Sequence, residues 1–209
     1  MDVLYFAYGS CMSPEDLARD VSGFEVVGPA LVRGFRLGFT RYSRARRGGV
    51  ADLVPDMAGV VEGVLYRVPV EQLAALDERE GAPDNYRRDF IAVRTPDGRI
   101  YDGVLTYVVA DKAPEEIPPH PDYAATIMRG ASAMLSPHYV EKLRRHIEQL
   151  TERKSGPRPD DDRPRGRRAR DERGRRKPKV ITIRVGRHAR GRSARRAPVS
   201  IGPWSFRRG

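Results

Sequence analysis

The feature that most limits how this chain can fold is an abrupt change in composition near residue 150. Residues 1–150 carry 18 basic and 22 acidic side chains, a net charge of −4, whereas residues 151–209 carry 21 basic and 6 acidic side chains, a net charge of +15. The second segment has too few apolar side chains to offset the entropy lost on ordering. We therefore predict one folded domain over residues 1–150. Residues 151–209 are predicted to form a basic, largely disordered tail with a short strand at 180–185.

The sequence also excludes several classes of protein and site. No apolar run has the length needed to cross a membrane, and the chain begins directly in a strand-like segment, so we expect a cytoplasmic protein. The single cysteine, Cys11, cannot form an internal disulfide. The four histidines, at positions 120, 138, 146 and 188, lack paired ligand spacing. Phosphate-binding glycine loops and a hydrolase nucleophile elbow are also absent, so we expect no metal and no cofactor.

Strand-like segments occur throughout residues 2–109 of the predicted domain. Four segments rich in branched and aromatic residues predict strands: residues 2–8, 59–68, 86–95 and 99–109. The last two flank the turn signal "PDG" and predict a hairpin. Residues 24–40 are interrupted by Gly28, Gly34 and Gly38, which predicts short, bending strands, and residues 41–49 are predicted to form a polar loop.

Helical segments lie between and after these strands. Four segments predict helices: residues 13–20, 69–80, 122–135 and 136–150. Ser13 is placed to cap the first helix, and Gly81 is placed to end the second. The proline-rich residues 113–121 predict a loop. Together these elements predict an α/β (α+β) fold: a bent, mostly antiparallel, barrel-like sheet with flanking helices.

Two short motifs are candidates for a functional site. The first is "YGSCM", Tyr8–Met12, where the first strand ends and a helix soon begins. Glycine lets the backbone approach a ligand closely, and successive N–H groups at such a turn can bind a carboxylate or an oxyanion. An ordinary strand-to-helix turn would have the same sequence, so the pattern alone leaves both interpretations open.

The second candidate is "LDEREG", Leu76–Gly81, at the end of a predicted helix. The C-terminal end of a helix disfavours a carboxylate charge, and a pocket around Glu80 would disfavour it further. Both effects would raise the pKa of Glu80 to a value useful for proton transfer. The alternative is a solvated acidic helix end, which the motif alone does not exclude.

Several motifs in one order and spacing resemble the γ-glutamylcyclotransferase-like family: "YFAYGSCM", "LDEREG", a tyrosine five residues after that glycine, "LTYVV" and "PPHPDY". The resemblance covers about residues 3–150. It is closer to the branch that acts on free γ-glutamyl amino acids than to the glutathione-specific branch. It implies a bent sheet around a cavity in which a small-molecule γ-glutamyl group is cyclised to 5-oxoproline, with release of an amine and without a cofactor.

The resemblance also implies which residues form the site. Glu80 matches the family's catalytic glutamate, and Tyr86 and Tyr107 match tyrosines that contact the substrate. Six residues match the substrate-holding segment: Tyr5, Phe6, Ala7, Tyr8, Gly9 and Ser10. The chain departs from the family at Cys11-Met12, where the commonest pattern is Asn-Leu, and Cys11 is expected to occupy the same substrate-binding slot.

For Cys11 two interpretations remain. It is either a small, partly buried thiol or a redox-sensitive gate, because oxidation beside the turn would add bulk.

The basic tail lies outside the resemblance and suggests a second class of function. Residues 151–209 predict weak binding to nucleic acid or another polyanion, and Trp204 or Phe206 could stack on bases. The alternative to an enzyme is therefore a non-catalytic binding module with a cyclotransferase-like fold, which the tail directs to nucleic acid.

Overall fold

The computed structural model describes residues 1–155 of the 209-residue chain. Five strands form a closed barrel in the order β1–β3–β2–β4–β5. Their bounds are β1 Asp2–Ala7, β2 Glu25–Ser43, β3 Gly48–Pro69, β4 Tyr86–Arg94 and β5 Ile100–Val109. All pairings are antiparallel except that of β1 with β5, which closes the barrel through Tyr5 and Leu105. The predicted α/β fold with a bent, mostly antiparallel, barrel-like sheet is confirmed.

The hairpin of β2 and β3 is longer than predicted. The prediction of several short strands over residues 24–40 and a loop over 41–49 is wrong, because β2 continues to Ser43 and a four-residue turn joins it to β3. The register shifts between Val26 and Gly28 and again between Arg33 and Phe35. Glycines at such bulges let a strand bend while its hydrogen bonds continue on either side. These glycines therefore curve one long strand instead of ending several short ones.

The shorter strands and helices agree more closely with the predictions from the sequence. The predicted hairpin of β4 and β5 is confirmed by the pairing of Tyr86 with Val109. The helix α1 covers Pro14–Leu17, and the Ser13 side chain caps it by accepting a hydrogen bond from the Asp16 amide at 3.3 Å. The predicted helix at residues 69–80 begins later than expected, with a 3-10 turn at Val70–Gln72.

The remaining helices flank the barrel. Their bounds are α2 Leu73–Glu80, α3 Pro121–Met134 and α4 Pro137–Ser155. The α4 helix continues through the first five residues of the predicted tail. The predicted strand at 180–185 and the other predictions for residues 156–209 lie outside the described residues. Among the helices of residues 1–155, none has both the length and the apolar character that a membrane span requires.

The core fills the barrel and extends under the helices. Large side chains with almost no exposure come from strands and helices alike: Phe6, Phe39, Tyr66, Leu76, Leu105 and Ile127. The proline-containing loop between β5 and α3 is held against the β2–β3 hairpin, where the Ile117 amide donates to the Phe39 carbonyl at 2.8 Å. This packing leaves the end of β1 beside the C-terminal end of α2, where the candidate site lies.

Candidate active site

A small polar cavity, which we call the inner chamber, lies where β1 ends. Its volume is about 40 Å³, and tyrosines form half of its wall. Its ten lining residues are Tyr5, Tyr8, Gly9, Ser10, Cys11, Ala51, Glu80, Tyr86, Tyr107 and Tyr123. A larger cavity of about 480 Å³, the outer chamber, adjoins it and shares Ser10, Glu80, Tyr86 and Tyr123 with it.

A cavity of about 590 Å³ elsewhere in the domain is larger than either chamber. It lies beneath α4, among residues that include Arg36 and His146, and contains none of the residues predicted for the site. Volume alone would favour this cavity, but Glu80, Cys11 and five tyrosines line the inner chamber, and burial raises the pKa values of all seven. We therefore place the candidate site at the inner chamber.

The structure brings together eight of the ten residues predicted for the site. The two exceptions are Phe6 and Ala7, which do not line the chamber. Phe6 is completely buried, and its carbonyl accepts a hydrogen bond from the Thr106 hydroxyl at 3.0 Å. Ala7 is buried and pairs with Val64 of β3. Both residues therefore connect β1 to the rest of the barrel.

The glycine turn keeps the inner chamber open. A Cβ atom at Gly9 would lie 3.4 Å from the Ala51 Cβ and 3.5 Å from the Tyr123 hydroxyl, both of which line the chamber. A side chain at Gly9 would thus project into the space available to a ligand. After Gly9 the chain forms a 3-10 turn, Ser10–Met12, whose N-terminus has no side-chain cap among the described residues.

Glu80 supplies the carboxylate of the inner chamber. It is the last residue of α2, which ends because Gly81 adopts a left-handed conformation with φ of 62°, as predicted. Burial raises the pKa of Glu80, and the opposing effects of Arg79 and of a hydrogen bond from Cys11 are too small to reverse the shift. A carboxyl group with a raised pKa is suited to exchanging protons near neutral pH.

Cys11 lies directly beside this carboxylate. Its sulfur is 3.6 Å from Glu80 Oε1, and Arg79 Nε lies 3.1 Å from the same sulfur. Burial raises the pKa of the Cys11 thiol to about 12, so the thiol stays protonated at neutral pH. Redox-sensitive cysteines have lowered pKa values and are accessible to solvent. These properties agree better with the interpretation of Cys11 as a buried thiol than with a redox gate.

Arg79 is a site residue that the sequence reasoning missed. Its side chain is only 8 % exposed and pairs with Asp16 at 2.6 Å and with Asp20. These contacts join the end of α2 to the segment that follows the glycine turn, and so hold Glu80 near that turn. The only sequence signal was a basic residue between Glu78 and Glu80 in "LDEREG".

The tyrosines of the chamber are held in place by hydrogen bonds. The Tyr86 hydroxyl donates to the Ala51 carbonyl at 2.6 Å, and the Tyr8 hydroxyl donates to the Tyr107 carbonyl. Tyr123, which the sequence reasoning also missed, accepts a hydrogen bond from the Ala51 amide at 3.3 Å. Burial raises the pKa values of these side chains, so they remain neutral and uncharged around the acid.

Comparison with known proteins identifies the family. The family described as "Gamma-glutamyl cyclotransferase, AIG2-like" matches residues 5–125, a range that contains all ten lining residues of the inner chamber. This chain belongs to the γ-glutamyl cyclotransferase, AIG2-like family. The resemblance found in its sequence motifs is confirmed.

Individual members of the γ-glutamyl cyclotransferase family show the extent of the similarity. The chain is 40 % identical over 152 residues to "Putative gamma-glutamylcyclotransferase YkqA" of Bacillus subtilis. The matched region covers 71 % of this chain and 53 % of that protein. It is 30 % identical to "Gamma-glutamylcyclotransferase" of Mus musculus, over 68 % of this chain and 77 % of the mouse protein. A solved structure named "Gamma-glutamyl cyclotransferase" matches with a TM-score of 0.65 and 26 % identity, over 73 % of this chain and 99 % of that structure. This chain thus spans about half the length of the Bacillus relative.

Membership of the γ-glutamyl cyclotransferase family does not favour the alternative of a non-catalytic module directed to nucleic acid by its tail. The matched residues carry the chamber, and nucleic-acid binding is not shown. Most of the basic tail lies beyond the described residues 1–155.

Proposed function

We propose that this domain is an enzyme that cyclises a γ-glutamyl group to 5-oxoproline and releases an amine. One observation carries the proposal: Glu80, a partly buried acid whose pKa is raised by desolvation, lines the same small chamber as the glycine turn Gly9–Cys11. In this reaction the substrate's own α-amine attacks its γ-carbonyl carbon. The enzyme must therefore remove protons from one nitrogen and supply them to another, a task suited to one carboxyl group with a raised pKa.

Glu80 acts first as base and then as acid. The α-ammonium of the substrate cannot attack until it loses a proton, which the Glu80 carboxylate accepts. A C–N bond then forms to the γ-carbonyl carbon, and the bond from this carbon to the departing nitrogen breaks as Glu80 returns a proton to that nitrogen. The ring nitrogen then loses its remaining extra proton to the Glu80 carboxylate, which passes it to the released amine, so two protons in all move from the α-nitrogen to the departing nitrogen and no water is consumed.

The chamber accelerates this ring closure by position and by polarity. Substrate folded with its amine against its own carbonyl reacts as one molecule, and effective molarities of about 10⁵–10⁸ M are known for well-placed groups. The amide groups of Ser10 and Cys11, at the uncapped start of the 3-10 turn, are assigned to the substrate's carboxylate or carbonyl oxygen. Tyr5, Tyr86 and Tyr107 enclose the chain of the substrate. No metal or cofactor takes part.

The test is a screen for 5-oxoproline. The full-length protein is incubated with γ-glutamyl amino acids, γ-glutamylamines and glutathione, and 5-oxoproline is measured by mass spectrometry. We expect release from at least one class of substrate, loss of release in Glu80→Gln, and retention in Glu78→Gln, which alters an exposed acid on the same helix. Equal release by Glu80→Gln, or no release from any substrate, would overturn the proposal.

A further inference from the structure

The outer chamber has an unusual excess of positive charge. Its lining includes four arginines, Arg41, Arg44, Arg46 and Arg79, and a single carboxylate, that of Glu80. The arginines come from the end of β2, from the turn that joins β2 to β3, and from α2. A partly enclosed space with this lining attracts anions, because low-dielectric walls strengthen the field of the charges around it.

Two of these arginines share carboxylates that lie outside the chamber. Arg79 is paired with Asp16 and Asp20. Arg46 lies 4.0 Å from Asp16, which also pairs with Arg19 at 3.2 Å. Three guanidinium groups therefore surround the one carboxylate of Asp16, and the positive charge at this side of the outer chamber is only partly neutralised.

The other two arginines have no acidic partner among residues 1–155. Arg41 donates to neutral groups, the carbonyls of Asp84 and Asn85 and the side-chain amide oxygen of Asn85. Arg44 is exposed, and its guanidinium contacts no polar group of the described residues. Neutral acceptors hold a guanidinium in place without cancelling its charge, so both arginines remain available to an anionic ligand.

The two chambers are arranged in series. They share Ser10 and Glu80, and Arg46 lies over the ring of Tyr123, 5.3 Å from its centroid, at the junction between them. Under the proposed function, on which this inference rests, the reacting atoms of the γ-glutamyl group lie beside Glu80 at the inner chamber. The departing amine then extends into the outer chamber, where the arginines lie.

We propose that the outer chamber selects γ-glutamyl substrates whose departing amine carries two carboxylates, as in an acidic amino acid or a further γ-linked glutamate. The α-carboxylate next to the departing nitrogen meets Arg46 at the junction of the chambers. A departing amine with a single carboxylate would leave Arg41 and Arg44 without an anionic partner. A second carboxylate, further along the departing amine, pairs with them. Neutral γ-glutamylamines and conjugates of basic amino acids are disfavoured by the same charges.

The test compares two substrates that differ in one charge. γ-Glutamyl-glutamate and γ-glutamyl-glutamine have nearly the same shape, so the ratio of their kcat/KM values measures the preference for the second carboxylate. We expect a ratio of about fivefold to tenfold at low salt, a size consistent with a few partly exposed ion pairs. The ratio should fall as salt is added, because these charges are screened. A ratio below twofold, or one unaffected by salt, would overturn the proposal.

Two variants test whether the preference for γ-glutamyl-glutamate arises in the outer chamber. In Arg44→Gln we expect the preference for γ-glutamyl-glutamate to fall about threefold, because kcat/KM falls more for γ-glutamyl-glutamate than for γ-glutamyl-glutamine. The matched control is Arg33→Gln, which removes another exposed arginine, on β2, that does not line the outer chamber. An unchanged preference in Arg44→Gln, or an equal fall in both variants, would contradict the assignment to this chamber.

A binding measurement separates this inference from the proposed function. Titration calorimetry with Glu80→Gln compares the affinities of the two substrates when no reaction occurs. Tighter binding of γ-glutamyl-glutamate supports the inference even if the wild-type protein releases no 5-oxoproline, a result that would overturn only the proposed function. Equal affinities, or no binding of either substrate, would overturn the inference, and release of 5-oxoproline from γ-glutamyl-alanine would still support the function.

Discussion

The pKa values of two carboxylates in this domain, Glu80 and Glu116, are shifted in opposite directions. Burial would raise the pKa of Glu116, but contacts from His146 at 3.4 Å and from Arg36 at 2.7 Å outweigh it and lower the pKa to about 2. Burial also raises the pKa of Glu80, and there the neighbouring groups do not reverse the effect. Glu116 is therefore kept ionised, whereas Glu80 can take up and release a proton.

The difference in pKa arises from which carboxylates the nearest guanidinium group binds. Arg36 directs its guanidinium at Glu116. Arg79 directs its guanidinium at Asp16 and Asp20, and reaches Cys11 with Nε. Glu80 is thus close to a cation that other carboxylates already bind. A partly buried acid whose neighbouring cation is bound by other carboxylates keeps a raised pKa.

The largest expected effect is on turnover. Glu80→Gln should lower kcat for 5-oxoproline release by about 10²- to 10⁴-fold, the usual contribution of a general acid–base group. The control is Glu116→Gln, which alters the other carboxylate and should leave kcat within about twofold. The stability of Glu80→Gln at neutral pH should not fall, because a raised folded-state pKa means that ionisation of Glu80 above its ordinary pKa destabilises the native state. Similar losses of kcat in both variants would show that the two carboxylates do not differ in role.

The next effect is on stability and compares the two arginines. Arg79→Met should lower the free energy of unfolding by about 3–5 kcal/mol, because Asp16, only 5 % exposed, loses its closest buried partner. Arg36→Met should lower it by about 1 kcal/mol or less, since that guanidinium is 42 % exposed. Urea unfolding measures both changes. Equal losses would indicate that Arg79 does not hold the end of α2 against the segment after the glycine turn.

Features set by local chemistry were predictable from the sequence. Ser13 caps its helix and Gly81 ends its helix in the structure as the sequence predicted, because each depends only on a few neighbouring residues. The glycines of β2 were harder to interpret, since a glycine can either end a strand or create a bulge within it. The partner strand decides between these outcomes, and β3 was recognised only over residues 59–68.

Contacts between residues that are far apart in the sequence, and that form only when the barrel closes, were not predictable. Arg79 contacts Cys11 across 68 residues, and Tyr123 meets Ala51 across 72 residues. Neither contact leaves a periodic pattern or a spacing in the sequence. The family resemblance located Glu80 and the glycine turn, whereas the contacts by which Arg79 joins them became visible only in the folded chain.

A smaller effect tests Glu116 through pH. Because its folded-state pKa lies near 2, below the ordinary value of 4.5, Glu116 contributes stability above pH 4.5 that is lost as the pH falls towards 2. Wild type should be more stable than Glu116→Gln by up to about 3 kcal/mol near pH 6, and the difference should vanish near pH 2. Urea unfolding across this range measures it. A constant difference between pH 6 and pH 2 would mean that the carboxylate is not held ionised.

The smallest effect concerns Tyr107, which forms part of the wall of the inner chamber. The Tyr107 hydroxyl donates to Asp77 at 2.6 Å, and Arg88 binds the same carboxylate through two hydrogen bonds of 2.8 and 2.6 Å. Tyr107→Phe keeps the ring against the substrate and leaves Asp77 paired with Arg88. The variant loses one hydrogen bond to the Asp77 carboxylate but none of the groups that transfer protons, so we expect KM to rise about two- to fivefold and kcat to change less than twofold.

The matched control for this variant is Tyr101→Phe, which removes a hydroxyl from the same strand outside the inner chamber, where it accepts from Arg99 at 3.1 Å. Its kinetic constants should equal those of wild type. A large fall in kcat at unchanged KM in Tyr107→Phe would mean that Tyr107 takes part in proton transfer. Glu80 would then share proton transfer with the Tyr107–Asp77 pair. The difference from Glu116 would in that case be a property of three residues together and not of the Glu80 carboxylate alone.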